Sequence, residues 1–354
     1  MPVGATILGC AGPAITADER RFFGSASPLG FILFARNIES PAQVRDLIRD
    51  LRLSVGRPDA PVLIDQEGGR VVRLRPPHWY GAPPAAVFAE LYQSSPDRAV
   101  EALTLNTRLI AADLVDLGID VNCTPVLDVP VAGADNIIGD RALGSDPDQI
   151  ARLGGVVGQT MLECGVTPVI KHIPGHGRAL CDSHLDLPRV DADLGLLENS
   201  DFAPFAALSH LPWAMTAHVV YDAVDDKQPA TLSPAVIETV IRRGMKFDGL
   251  LLSDDLSMKA LEGPFSARTH QCRKAGCDIA LHCNGDMEEM IQVVEGAGAM
   301  DAAGLERLAS GRAMLGTLQE FDRRAALDRL AALLDRPADG AAERAADGAA
   351  GIRS

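Results

Sequence analysis

The chain reads as a single-domain (β/α)8 barrel of the TIM type with extra C-terminal helices, and three observations lead there. Short apolar, β-branched runs recur eight times along 354 residues. Segments with helical period and helix-start signals separate most of them. Polar side chains stand at the ends of nearly all the runs, where a barrel would gather them into one mouth. Near-continuous apolar strands imply a parallel sheet covered on both faces. An open doubly wound sheet is the alternative, but no G-x-G-x-x-G turn follows an early strand, and the polar residues do not cluster at one switch point.

The candidate strands are 4–9, 30–35, 61–66, 119–129, 167–172, 213–221, 249–255 and 277–284. Helix starts are marked by Ser40 before PAQVRDLIRDLRLSV, by Asp146 before PDQIARLGGVVGQTMLECG and by Ser233 before PAVIETVIRRG. Each pairs a capping side chain with proline in the first turn. Strand ends carry Asp65, Asp128, Lys171 with His172, His218, Asp254 and Asn284. After the eighth strand, DMEEMIQVVEGA, GLERLASGRAML and QEFDRRAALDRLAALLDR read as helices. A catalytic domain over 1–336 is therefore expected, followed by a small, polar, low-complexity tail over 337–354.

Composition narrows the function classes. With 47% hydrophobic residues the chain can bury a large core, and its net charge of −15 without a basic run argues against nucleic acid. Seven cysteines, an odd number with no C-x-x-C pair, read as reduced core thiols in a cytoplasmic protein. No basic leader with a long apolar stretch and no run of 18 apolar residues is present, so no membrane association is expected. Helices with exposed charge give no obvious interface, which favours a monomer.

Chemistry concentrates in KHIPGHGRALCDSHLDLP, residues 171–188. Lys171, His172, His176, His184, Asp182 and Asp186 crowd a segment too rich in Gly and Pro for a helix, directly after the apolar TPVI. These groups could ligate zinc in number. The spacing disfavours it, because H-x-x-x-H works on a helix and Ile173-Pro174-Gly175 prevents one. No metal and no cofactor is expected.

KHIPGHG with DSHLDLP, together with LIDQEGGRVVRL, GDRALGSDP, MTAHVVY and LLSDDLSM in that family's order, resembles the bacterial β-N-acetylglucosaminidases of glycoside hydrolase family 3. The resemblance implies a cytoplasmic enzyme of cell-wall recycling that removes non-reducing N-acetylglucosamine from anhydro-muropeptides by a retaining mechanism. It implies Asp254 as nucleophile, His184 as general acid/base and Asp182 as its dyad partner. Asp65, Arg73, Arg141, Lys171 and His172 match positions that hold the sugar. The chain departs from the pattern at Leu143, where an aromatic is common, at Ile173 in place of Phe, and at Ala179-Leu180-Cys181 in the variable loop.

The residue chemistry agrees with those roles. A retaining glycosidase needs an attacking carboxylate and a separate proton donor. Histidine, with an ordinary pKa of about 6.5, can donate near neutral pH without the upward tuning a Glu requires. Asp182, two residues before His184, would hold one ring nitrogen and favour the protonated ring. By strand alternation only one of Asp254 and Asp255 faces the mouth. Asp254 could instead cap the next helix, and Asp65 with Arg73 could form a loop salt bridge as readily as bind hydroxyls. Gly68 and Gly69 would let the backbone turn close to a ligand. Lys171 and His172 are adjacent, so both reach one sugar only if a bulge or a non-proline cis peptide distorts the strand. His176 is expected to order its loop. Met258 reads equally as an apolar wall beneath the sugar or a core methionine. Besides the zinc hydrolase, the rivals are an N-acetylglucosaminide phosphorylase on the same residues, since a histidine donor tolerates an anion, and a non-catalytic sugar-binding protein.

Overall fold

The computed structural model describes residues 2–179, 183 and 187–335. Among the described residues ten strands are formed: β1 (Gly4–Leu8), β2 (Pro28–Leu33), β3 (Val62–Ile64), β4 (Val121–Asn122), β5 (Thr167–Ile173), β6 (Arg189–Val190), β7 (Trp213–Thr216), β8 (Val220–Tyr221), β9 (Leu250–Asp255) and β10 (Ile279–His282). Eight close into a barrel in the order β1-β10-β9-β7-β5-β4-β3-β2, and all its pairings are parallel. The seam joins the first strand to the last, with Thr6 opposite Ala280 and Leu8 opposite His282.

Alternation along each strand sorts the core into two layers. Leu63, Val121, Val169, Leu252 and Leu281 point inward and pack together inside the barrel. Ile64, Ile170, Leu251 and Ala280 point outward into the larger layer beneath the helices. The inward pattern, continued two residues further, reaches Asp65, Cys123, Lys171, Asp254 and Cys283 at the C-terminal ends of their strands. The strand pattern thus builds the floor and wall of a mouth.

Helix starts follow the capping signals: Ser40 accepts from the Gln43 N–H at 3.3 Å and Asp146 from the Gln149 N–H at 2.9 Å. Ser233 likewise accepts from the Val236 N–H, but the segment it opens, Val236–Gly244, winds as a π-helix where an α-helix is expected. The expected strand over 119–129 is regular only over the two residues of β4; beyond them its bonding to β5 continues irregularly, with the Lys171 N–H on the Pro125 carbonyl at 3.1 Å and an isolated bridge between Val126 and Lys171. The run 213–221 splits into β7 and β8, and β8 pairs with β6 in a small separate sheet. Helices Met287–Ala297, Ala302–Ala313 and Arg323–Leu333 follow the barrel. Among the described residues no helix is long and apolar enough to cross a membrane. The tail assigned to 337–354 lies outside the described residues.

Candidate active site

The loop after β3 supplies the first part of the mouth. Gly68 and Gly69 both take positive φ, 118° and 57°, and a Cβ on Gly68 would stand 2.3 Å from the Pro83 carbonyl oxygen. Only glycine lets this turn lie so close to the next segment. The turn presents Asp65, Glu67 and Arg73 together. Lys171, at the inward position of β5, donates from Nζ to Asp65 Oδ1 at 2.8 Å and lies 2.7 Å from Glu67 Oε1. Arg73 donates to Asp65 Oδ2 at 3.1 Å. Arg141, carried by the turn Gly139–Arg141, grips Glu67 with two bonds of 2.9 Å. Arg70 anchors that turn by donating to Asp140 at 2.8 Å.

These charges set one another. Burial would raise the carboxyls of Asp65 and Glu67, but Lys171 with Arg73 around the first, and Lys171 with Arg141 around the second, hold both below their usual range. Burial would lower the Lys171 ammonium, and the two carboxylates raise it instead. The cluster is therefore fully ionised at neutral pH.

The Lys171–His172 peptide is cis, and the β5–β7 register shifts between Lys171 and Ile173. Both distortions anticipated for this pair are thus present. His172 Nδ1 lies 2.7 Å from Asp128 Oδ2, an arrangement that leaves Nε2 for a ligand. Asp128 also accepts from the backbone N–H groups of His172 and His176, at 3.2 and 2.6 Å. Burial would raise its carboxyl, but the His172 ring and the His176 contacts bring it down to about 2. His176 is buried and its Nε2 meets Ser183 Oγ at 3.0 Å across the loop. Burial, reinforced by the charge of His172, lowers its pKa.

Asp254 and Asp255 separate as alternation requires. Asp255 is tied to its surroundings, accepting from Ser257 N–H at 3.0 Å, Ser257 Oγ–H at 2.6 Å and Cys283 N–H at 3.2 Å. Asp254 accepts from the Asp255 N–H at 2.8 Å, and its charge is felt at Cys123, His176, His218 and Cys283, which places it among the mouth residues. His218, fully buried, lies with Nδ1 2.7 Å from Thr231 Oγ1 and Nε2 3.0 Å from the Asp255 carbonyl oxygen. Burial lowers its pKa. A neutral ring donating from Nε2 and accepting from Thr231 fixes the backbone directly after Asp254. Met258 is buried in the following turn, its N–H on the Asp255 carbonyl at 3.1 Å.

The structure thus brings together Asp65, Arg73, Arg141, Lys171 and His172, with Asp254 facing the same space. His184 and Asp182 lie outside the described residues. Glu67 and Asp128 were not singled out as site residues from sequence. Glu67 stands inside DQEGG and Asp128 three residues past Pro125, at a strand end already marked polar. Leu143 is buried and lines a small pocket with Phe88 and Met161, which Glu67 and Arg141 close on the polar side. Among the described residues no group of three or more His, Cys, Asp or Glu side chains converges as metal ligands would.

Comparison with known proteins supplies the family. The model of the glycosyl hydrolase family 3 N-terminal domain matches residues 17–307. A β-hexosaminidase of Methylococcus capsulatus is 39% identical over 277 residues, covering 77% of this chain and 80% of that protein. One from Alkalilimnicola ehrlichii is 39% identical over 291 residues, covering 80% and 82%. Crystallised NagZ from Neisseria gonorrhoeae in complex with N-trifluoroacetyl-D-glucosamine superposes with a TM-score of 0.84 at 30% identity, covering 94% of this chain and 99% of that one. On the extent of the family match, the closed barrel and these relatives, the chain belongs to glycosyl hydrolase family 3 and is a glycoside hydrolase of the β-hexosaminidase kind.

Proposed function

We propose that the protein is a retaining exo-β-N-acetylglucosaminidase that releases terminal non-reducing N-acetylglucosamine from peptidoglycan turnover fragments, working as a cytoplasmic monomer. The observation that carries the reading is the convergence of an inward Asp254 with the ionised Asp65–Lys171–Glu67–Arg141 cluster in one mouth. Asp65, Arg73, Arg141, Lys171 and His172 hold the sugar: carboxylates accept its hydroxyl protons, cations donate to its oxygens, and charge-assisted bonds fix its orientation. Asp254 attacks the anomeric carbon to give a glycosyl-aspartate, and water then cleaves that ester. His184, oriented by Asp182, protonates the departing oxygen and later deprotonates the water. Asp255 is held by Ser257 and Cys283 and takes no part in bond making.

The test is incubation with N-acetylglucosaminyl-anhydro-N-acetylmuramic acid, with and without phosphate, while free N-acetylglucosamine and its anomeric form are followed. Release of the β-anomer independent of phosphate is expected. A sugar 1-phosphate would move the reading to phosphorolysis, and no release would leave a binding protein.

A further inference from the structure

Glu67 has no part in the proposed bond making, yet it stands at the centre of the charges in the mouth. Its Oε1 accepts from Arg141 Nη2 at 2.9 Å and lies 2.7 Å from Lys171 Nζ, while its Oε2 accepts from Arg141 Nε at 2.9 Å. One carboxylate oxygen is thus shared by two cations that would otherwise repel each other. Glu67 is itself held. The Gln66 side chain beside it accepts from the N–H groups of Arg73 and Leu74 at 2.9 and 3.0 Å, and the Asn122 amide brackets the Gln66 backbone with two bonds of 3.0 Å.

This grip leaves few donors over. Of the three N–H groups on Lys171 Nζ, Asp65 and Glu67 take two among the described residues, so one remains. Arg141 commits Nε and one N–H of Nη2 to Glu67 and one of Nη1 to the Ile137 carbonyl, so two remain. Glu67, with both oxygens on cations and its side chain only 7% exposed, acts on a ligand through them. Arg70, three residues further along the same turn, secures the segment that carries Arg141: Nε donates to Asp140 at 2.8 Å and Nη2 to the carbonyls of Asn136, Ile137 and Ile138.

We propose that Glu67 is a positioning residue for sugar recognition: by bridging Lys171 and Arg141 it aims their remaining donors at one bound sugar, while Arg70 holds the turn that delivers Arg141. The inference rests on the glycosidase reading and deepens it by assigning the residue that couples the turn after β3 to the turn Gly139–Arg141.

The experiment measures kcat and KM on a nitrophenyl N-acetylglucosaminide, and affinity for N-acetylglucosamine by calorimetry, in wild type, Glu67→Gln, Arg70→Ala, Arg141→Ala and the two double variants that contain Arg141→Ala. Glu67→Gln keeps the shape and removes the charge. Its KM should rise roughly 10 to 100-fold, the scale of a misplaced binding group, with a smaller fall in kcat and a matching loss of affinity for N-acetylglucosamine. Arg70→Ala should raise KM by a smaller factor. In the Arg141→Ala background each loss should shrink, because residues that act through a shared partner are not additive. A Glu67→Gln enzyme with a lowered thermal midpoint but unchanged KM and affinity, or one whose loss persists in full without Arg141, overturns the proposal and makes Glu67 a support of the fold alone. Should Glu67→Gln fail to fold, Arg70→Ala decides, an unchanged KM and affinity overturning the proposal. A wild type that binds N-acetylglucosamine without cleaving the glycoside overturns the glycosidase reading, and the calorimetric comparison still judges Glu67.

Discussion

At the lower end of the barrel, where strands begin, Asp278 accepts from the Leu251 N–H at 2.9 Å, from Arg242 at 2.9 Å and from Arg307 at 2.9 Å. Arg242 also donates to the carbonyls of Phe247 and Gly249. Asp120 and Arg52 repeat the pattern, one accepting from the Val62 N–H and the other donating to the Ala60 carbonyl. At the mouth, Asp65, Glu67, Lys171, Arg73 and Arg141 bind mainly one another. The same residue types are thus stitched to the main chain at one end and arranged around an open space at the other. A carboxylate whose partners are strand N–H groups has its lone pairs committed to the fold. One whose partners are cations beside a cleft can still exchange contacts with a ligand, which is how a barrel separates stability from chemistry.

The comparison is broken most sharply at Asp254. Asp254→Asn should lower kcat on a nitrophenyl N-acetylglucosaminide by roughly 10⁴-fold or more, on the scale of other nucleophile removals, while its thermal midpoint stays close to wild type. A fluorinated slow substrate should label Asp254 in the wild type, as read by peptide mass spectrometry. A label on Asp255 would sink the assignment.

Next comes His184, where the effect depends on the leaving group. His184→Ala should lose roughly 10² to 10⁴-fold on a natural disaccharide, the usual range for general acid catalysis. On a nitrophenyl glycoside, whose phenolate departs with little help, the loss should be much smaller. Equal losses would make His184 a sugar-positioning residue.

The lower end predicts the opposite phenotype. Asp278→Ala leaves Arg242 and Arg307 without their shared partner, and breaking such a buried pair costs about 3 to 5 kcal/mol. Urea unfolding should show that loss, with kcat/KM of the folded enzyme close to wild type. A variant that unfolds normally but loses activity would erase the distinction between the two ends.

Asp128 gives the smallest effect and the only one tied to pH. Its folded carboxyl, at about 2, sits below its ordinary value of 3.8. A depressed carboxyl stabilises the fold above the unfolded value, and the contribution is lost as pH falls through the folded one. Stability measured between pH 5 and pH 2 should therefore fall by about 2 kcal/mol from this group in the wild type. Asp128→Asn should flatten that part of the curve and lower stability at pH 7.

Much of the barrel was legible because strand alternation is a local property. The inward step from Leu252 to Asp254, or from Val169 to Lys171, needs no tertiary information. The need for a distortion at Lys171 and His172 was legible for the same reason. Glu67 and Asp128 were harder, because each gains its role from a partner far along the chain, Arg141 and His172, and no local period announces that meeting. The shortness of β4 and the separate β6–β8 pair were also hidden: an apolar run marks burial, and burial here continues after the regular ladder ends. The π-helix at Val236–Gly244 carries an ordinary helical pattern, so spacing alone does not distinguish it.

The seam between β1 and β10 has a consequence for the order of assembly. It is the barrel contact that joins residues more than 270 positions apart, Thr6 with Ala280 for instance. Gly9 N–H reaches the His282 carbonyl and Met300 N–H the Val3 carbonyl across it. Contacts so distant in sequence carry the highest loop-closure cost and form late. The Cys10 and Cys283 carbonyls that hold the Arg36 guanidinium stand on opposite sides of this seam. A chain still leaving the ribosome has Arg36 but only half of its cradle, so that contact is completed by the same event that seals the cylinder.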